Sequence, residues 1–159
     1  MRVLGIDPGY DRLGLAVLEK KLGKETLLYA TCIETNRDDP FQERLLAIGI
    51  ALHKTISKWK PVLVALETLY MSKNQKTALP VASARGVLLY VAAEEKLLVR
   101  EYSPQAIKIA TTGYGNSTKE QVMRMIPRLI RGTNVKARDD EFDAIAVALT
   151  ALATERPVP

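Results

Sequence analysis

Two short apolar runs in this chain each end on a carboxylate. Val3-Leu4-Gly5-Ile6 closes on Asp7, and Val62-Leu63-Val64-Ala65-Leu66 closes on Glu67. Runs of this length and composition read as strands. An acid at the end of an apolar strand is costly to bury unless something neutralises it. Asp7 by itself, followed by Pro8-Gly9, is ordinary turn chemistry. Its repetition at Glu67 points instead to an anionic site prepared for a cation.

The rest of the chain supplies a frame for those two strands. The first 35 residues read as a three-stranded meander, Arg2–Asp7, Leu13–Leu18 and Thr26–Thr35, with connections at Pro8–Asp11 and Lys20–Lys24. Asp38-Asp39-Pro40 opens a helix carrying Leu45, Leu46, Ile48, Leu52 and Ile56, and Pro61 ends it. A polar loop, Ser72–Lys76, precedes an apolar helix over Ala78–Glu95. A strand at Leu97–Glu101 and a helix at Ser103–Ala110 follow. Ser117 with Glu120 three residues on reads as the capping box of the next helix, which Pro127 should interrupt. Asp139–Ala153 is the last helix. Residues 1–154 are expected to form one domain and 155–159 a frayed tail. A meander followed by alternating helices and strands implies an α/β fold, with one mixed sheet and helices on both faces.

The stretch Thr77–Ala93 holds a single charge, Arg85, in seventeen residues. A helix apolar all round needs burial on more than one side. Either it is central to the monomer or it forms an interface, where Ala82, Ser83, Ala84 and Gly86 would permit close approach.

Bulk composition narrows the partner class only slightly. The chain has 23 Lys+Arg against 18 Asp+Glu, a net charge of +5, which suits a polyanion without requiring one. Cys32 is the sole cysteine and cannot form an internal disulfide, so a reducing, cytoplasmic setting is expected. No apolar stretch approaches the roughly 20 residues of a membrane helix, and no leader peptide is expected, since acid and glycine interrupt the N-terminus by residue 7.

The last helix adds Asp139, Asp140, Glu141 and Asp143. Acids in a first turn favour the helix dipole, which accounts for the first three. Asp143 abuts Ala144-Ile145-Ala146-Val147-Ala148 and is poorly explained that way. Asp140 and Asp143, three apart, share a face. Four converging carboxylates would repel one another and raise their own pKa values. Magnesium, a hard cation with oxygen ligands, resolves that repulsion. Two such ions about 4 Å apart form a clamp for in-line phosphoryl displacement. Other chemistries lack their parts: His53 is the only histidine and reads as solvated, and there is no zinc ligand set or nucleophile elbow. Asp7-x-Gly9-x4-Gly14 also fits the phosphate loop of actin-like ATPases, but 159 residues cannot supply their two lobes.

Taken in order, Gly5-Ile6-Asp7-Pro8-Gly9, Glu67 with Tyr70–Asn74, Ala84-Arg85-Gly86-Val87 and Asp140-x-x-Asp143-Ala144-Ile145-Ala146 resemble the RuvC family of Holliday-junction resolvases, from Arg2 to about Leu152. The resemblance implies an RNase H-like fold with a five-stranded mixed sheet, and a homodimer, for which the apolar helix Thr77–Ala93 is the candidate interface. It implies an endonuclease that nicks two opposed strands of four-way junction DNA, dependent on two Mg2+ ions (Mn2+ substituting), and leaves 5′-phosphate and 3′-hydroxyl ends. Asp7, Glu67, Asp140 and Asp143 match the family's catalytic carboxylates, and Lys108 and Lys119 its active-site lysines. Tyr70 falls where the family places a base-stacking aromatic. Lys73 and Lys76 in the adjoining loop are expected to contact DNA. Family analogy also raises docking to the RuvA–RuvB branch-migration complex.

The segment Gly132–Arg138 departs from better-known members, which leaves Asp139 as an alternative to Asp140. Arg124, Arg128 and Arg131 read equally as a phosphate-tracking stripe or a solubilising face. A ribonuclease H acting on RNA–DNA hybrids, or a junction-binding module without catalysis, are the rival functions.

Overall fold

Alternating side chains along β1 (Arg2–Asp7) face two separate apolar layers. Val3 packs into one layer, and Leu4 and Ile6 into the other. The computed structural model describes residues 1–68, 75–132 and 138–156. Its five-stranded sheet has the order β3-β2-β1-β4-β5, with β2 over Arg12–Lys21, β3 over Lys24–Glu34, β4 over Leu63–Glu67 and β5 over Leu98–Tyr102. β1, β2 and β3 are antiparallel, whereas β4 pairs parallel with β1 and β5 parallel with β4. β1 and β4 are therefore interior strands, covered on both faces.

Helices α1 (Phe41–Trp59) and α2 (Gln75–Glu94) cover the face of Leu4, Ile6, Leu15, Val64 and Leu66. Helices α3 (Pro104–Thr112), α4 (Lys119–Leu129) and α5 (Asp139–Thr154) cover the face of Val3, Ala16, Leu63 and Ala65. Such a sheet, layered by helices on both sides, is the RNase H-like α/β architecture. Fully burying an aliphatic side chain such as Ile6 or Leu66 contributes roughly 2–3 kcal/mol, which anchors the strand ends that carry the acids.

α5 lies unusually close to the sheet. A Cβ on Gly5 would overlap the Ala144 carbonyl oxygen and stand 2.7 Å from Ala148 Cβ. The small residues of α5 and the glycine of β1 thus serve one purpose, direct backbone approach.

Several sequence expectations are corrected. The β2–β3 connection is a two-residue turn, Leu22-Gly23, with φ of 51° and 74°, and Lys20, Lys21 and Lys24 belong to the strands. Two positive φ values give the twist that a tight hairpin needs. Gln75 and Lys76 are helical rather than loop. The α4 cap is Thr118 with Gln121, one residue past the expected pair. Ser117 instead is buried and shares a 2.7 Å hydrogen bond with Thr112. α4 runs through Pro127 to Leu129. His53 is not simply solvated: it lies 3.2 Å from Glu94 and 2.9 Å from Glu95, linking α1 to the end of α2. Just past α5, Glu155 accepts from the Tyr102 hydroxyl at 3.0 Å.

α2 does not meet burial on every side. Ala84, Leu88, Val91 and Ala92 are buried against the sheet. Leu79 and Tyr90, on the other side, are 73% and 64% exposed.

Candidate active site

Parallel register brings the first two acids together. Ile6 pairs with Leu66 across β1 and β4, so Asp7 and Glu67 leave adjacent strands side by side, with backbones about 4.8 Å apart. Ile6 and Leu66 point into the α1–α2 layer. Alternation therefore turns Asp7 and Glu67 toward α5.

α5 delivers the other two from its first turns. Opposite Asp7 on β2 stands Gly14, where a Cβ would overlap the Asp140 carbonyl oxygen and lie 3.2 Å from Asp7 Cβ. The missing side chain lets the start of α5 settle beside Asp7. Asp140 is only 16% exposed, whereas Asp139 is 70% exposed and lies 3.8 Å from Lys119. Of the two, Asp140 is the residue turned into the site.

The electrostatics follow from this crowding. Burial, then Asp143, Glu67 and Asp140, push the Asp7 carboxyl from 3.8 up to about 7, and Lys119 opposes them. Burial and Asp143 raise Glu67 against Lys119 and Lys108. Burial also raises Asp143, with Asp139 and Asp140 adding to it and Lys119 opposing. Lys119 itself is pulled down by burial, but Asp143, Asp139 and Asp7 outweigh that and hold it above the ordinary lysine value.

Lys119 at the start of α4 donates to Asp143 Oδ2 at 2.6 Å. Lys108 on α3 joins Lys119, Glu67 and Asp143 around a recess of about 220 Å³, whose apolar wall includes Ile107, Val122 and Val147. Both lysines thus stand at the acid end of the sheet. Tyr70, Lys73 and the Lys76 side chain lie outside the described residues. Arg124, Arg128 and Arg131 are all exposed.

The donor set fits a hard divalent cation. All four candidates are carboxylates, and their mutual repulsion leaves negative charge that a cation would relieve. Among the described residues, no three metal-ligating side chains already enclose an ion-sized position. Protein cations partner two of the acids instead, Lys119 on Asp143 and Arg12 on Asp140.

Supporting residues emerge that sequence reasoning passed over. Arg85, only 13% exposed, donates to the Glu67 carbonyl at 3.3 Å and pairs with Glu101 at 2.5 Å, fixing the end of β4. A lone arginine in an apolar helix was the available signal. Arg44 is buried, bonds Thr35, ion-pairs with Asp11 and lies 3.8 Å over the Tyr10 ring, which pins the turn after Asp7 to α1. Cys32 reaches Asp140 Oδ2 at 3.6 Å. Neither of these contacts follows from local pattern, because both join distant segments.

The chain is similar to known proteins over nearly its whole length. The family model described as crossover junction endodeoxyribonuclease RuvC matches residues 3–151. The protein of that name from Petrotoga mobilis is 42% identical over 148 residues, 93% of this chain and 91% of the relative. Its counterpart from Rickettsia typhi is 37% identical over 156 residues, 98% and 99% respectively. The structure of Thermus thermophilus RuvC in complex with Holliday junction substrate superposes with a TM-score of 0.90 at 31% identity, covering 96% of this chain and 93% of that one. With a family match over nearly its whole length, and relatives 37% and 42% identical of which it covers 99% and 91%, this chain belongs to the RuvC family of crossover junction endodeoxyribonucleases.

Proposed function

We propose that the protein resolves four-way DNA junctions in recombination and repair, nicking two opposed strands by metal-dependent phosphodiester hydrolysis. The observation that carries this reading is the meeting of Asp7, Glu67, Asp140 and Asp143 at one end of the sheet, with Lys108 and Lys119 beside them. The family's named activity, and the junction held by the Thermus relative, support the substrate.

In this reading Asp7, Glu67, Asp140 and Asp143 hold two Mg2+ ions, with Mn2+ able to replace them. Bound there, the metal supplies an activated water and charge stabilisation at the leaving oxygen. The chain's own residues do the rest. Lys108 and Lys119 offset the charge of the scissile phosphate, and Lys119 gives up its bond to Asp143 in doing so. The apolar wall of the recess, Ile107, Val122 and Val147, restricts water on that side. Arg85 fixes the backbone of Glu67 so that its carboxylate stays beside Asp7. Tyr70 stacks on a base near the crossover, and Lys73 and Lys76 contact the DNA backbone.

Two equal sites are required for paired nicks, and we place the dimer contact on the exposed side of α2. Leu79 and Tyr90 lie there together with exposed Ala82 and Gly86, and a Cβ on Gly86 would meet nothing within 4 Å. In this reading the protein acts in the cytoplasm, where its junction substrate would be found. Among the described residues no helix is long and apolar enough to cross a membrane.

Incubation with a synthetic four-way junction, a plain duplex and an RNA–DNA hybrid, with and without Mg2+, tests the reading. Metal-dependent cutting confined to the junction is expected. Cutting of the hybrid alone would make the protein a ribonuclease H, and junction binding without cutting a recognition module.

A further inference from the structure

Arg12 opens β2, directly after the turn that follows Asp7. That turn is held firmly. Thr35 donates its backbone N–H to the Asp11 carbonyl at 3.0 Å and its hydroxyl to the Tyr10 carbonyl at 2.8 Å. Arg37 pairs with Asp11 at 3.0 Å, and the buried Arg44 adds its ion pair and its stack on Tyr10. Arg12 is thus an exposed side chain on a fixed base, 59% accessible.

Its one polar contact among the described residues is from Nε to Asp140 Oδ2, at 3.4 Å. That contact is long, and its guanidinium end is open to solvent although Asp140 is only 16% exposed, so Asp140 holds the arginine loosely. Neither Nη group donates a hydrogen bond to another of the described residues, and the Asp140 contact runs through Nε. Across the site, Lys119 holds Asp143 at 2.6 Å, a much tighter pair. Guanidinium forks bind phosphate oxygens through two parallel hydrogen bonds, which outcompetes a single ion pair at such a distance. Among the described residues the same Asp140 oxygen otherwise meets the thiol of Cys32, a weak donor, so losing Arg12 frees it from its cationic partner.

We propose that Arg12 binds a DNA phosphate on the hairpin side of the site and releases Asp140 as it does so, coupling substrate binding to metal loading. This rests on the function proposed above. The backbone of the cleaved strand then meets cations from two sides, Arg12 from the β1–β2 hairpin and Lys108 and Lys119 from α3 and α4. In the DNA-free protein Arg12 competes with the metal for Asp140.

Parent, Arg12→Gln and Arg12→Lys proteins decide the matter through two binding measurements that need no turnover. In EDTA, fluorescence anisotropy of a labelled junction across a KCl series gives the slope of log affinity against log salt. Loss of one phosphate contact lowers that slope by about one, so Arg12→Gln should show that drop and Arg12→Lys should recover most of it. Calorimetric titration of DNA-free protein with Mn2+ should show Arg12→Gln binding several-fold more tightly than the parent. An unchanged salt slope overturns the phosphate contact. Equal or weaker Mn2+ binding overturns the exchange and makes Arg12 a support for Asp140. Circular dichroism melting of each variant separates either result from misfolding. If the parent itself binds no junction, the proposed function fails, while the Mn2+ titration still decides whether Arg12 competes for Asp140.

Discussion

At Asp7 an ionised carboxylate faces burial and three other acids, and its carboxyl is pushed up to about 7. The folded chain therefore holds that proton more tightly than the unfolded chain, where the ordinary value is 3.8. Between those two values the folded state carries the extra proton, so stability falls as pH rises through the window and the full penalty remains above it. Glu67 and Asp143 are raised too and act in the same direction. In EDTA, the parent should be less stable at pH 8 than at pH 5 relative to Asp7→Asn, and the variant should gain roughly 1–3 kcal/mol at pH 8. Denaturant midpoints at the two pH values check this. Parallel profiles for the two proteins would contradict it, and Mg2+ should narrow the difference by stabilising the parent alone. Asp7 and Glu67 were legible in the sequence because each ends an apolar strand, a local pattern. No local pattern separates Asp140 from Asp139; the family resemblance favours Asp140, and the distinction depends on how α5 is rotated against the sheet. Arg12 was invisible for the same reason: its partner lies 128 positions away.

Between elements, the decisive contact is α5 against β1 and β2. Gly5 and Gly14 leave space for Ala144, Ala148 and the Asp140 backbone, and that closeness brings two acids on a helix to two acids on strands. Gly14→Ala should therefore do more than destabilise. Overpacking of this kind costs about 1–3 kcal/mol. The displacement would fall at Asp140, so Mn2+ affinity should drop even where the variant is fully folded. Calorimetry together with thermal melting measures both; a lowered melting temperature with intact metal affinity would mean that the strain is relieved away from the site. Local sequence signals gave the order and type of these elements, because hydrophobic periodicity and Pro or Gly breaks are nearest-neighbour effects. They misplaced the α4 cap by one residue, since Ser117 and Thr118 are both able to cap and only the packing of Ser117 against Thr112 separates them. They also lengthened the β2–β3 connection, because lysines look like loop residues although a strand edge accommodates them well.

For the whole molecule, the proposed reading gives each chain one site, and paired nicks would need two. α2 reads in sequence as a helix needing cover on several sides; in the fold it has its own core on one side and Leu79 and Tyr90 open on the other. A charge placed there, as in Tyr90→Glu, should yield a monomer by light scattering and replace paired nicks with single ones, leaving the melting temperature within a few degrees of the parent dissociated to the same state. A dimer that persists would move the interface elsewhere. The central claim remains that four carboxylates from β1, β4 and α5 form one metal-dependent cutting site for junction DNA. Its most direct test is a four-way junction labelled on each strand, followed over time in Mg2+ with parent and Asp7→Asn protein, with affinity measured in the same samples. The account predicts symmetric nicks in two opposed strands by the parent, and unchanged binding with cutting reduced at least 100-fold in the variant, the scale expected when electrostatic stabilisation at the reacting phosphate is lost. Cutting by Asp7→Asn at the parent's rate would contradict it.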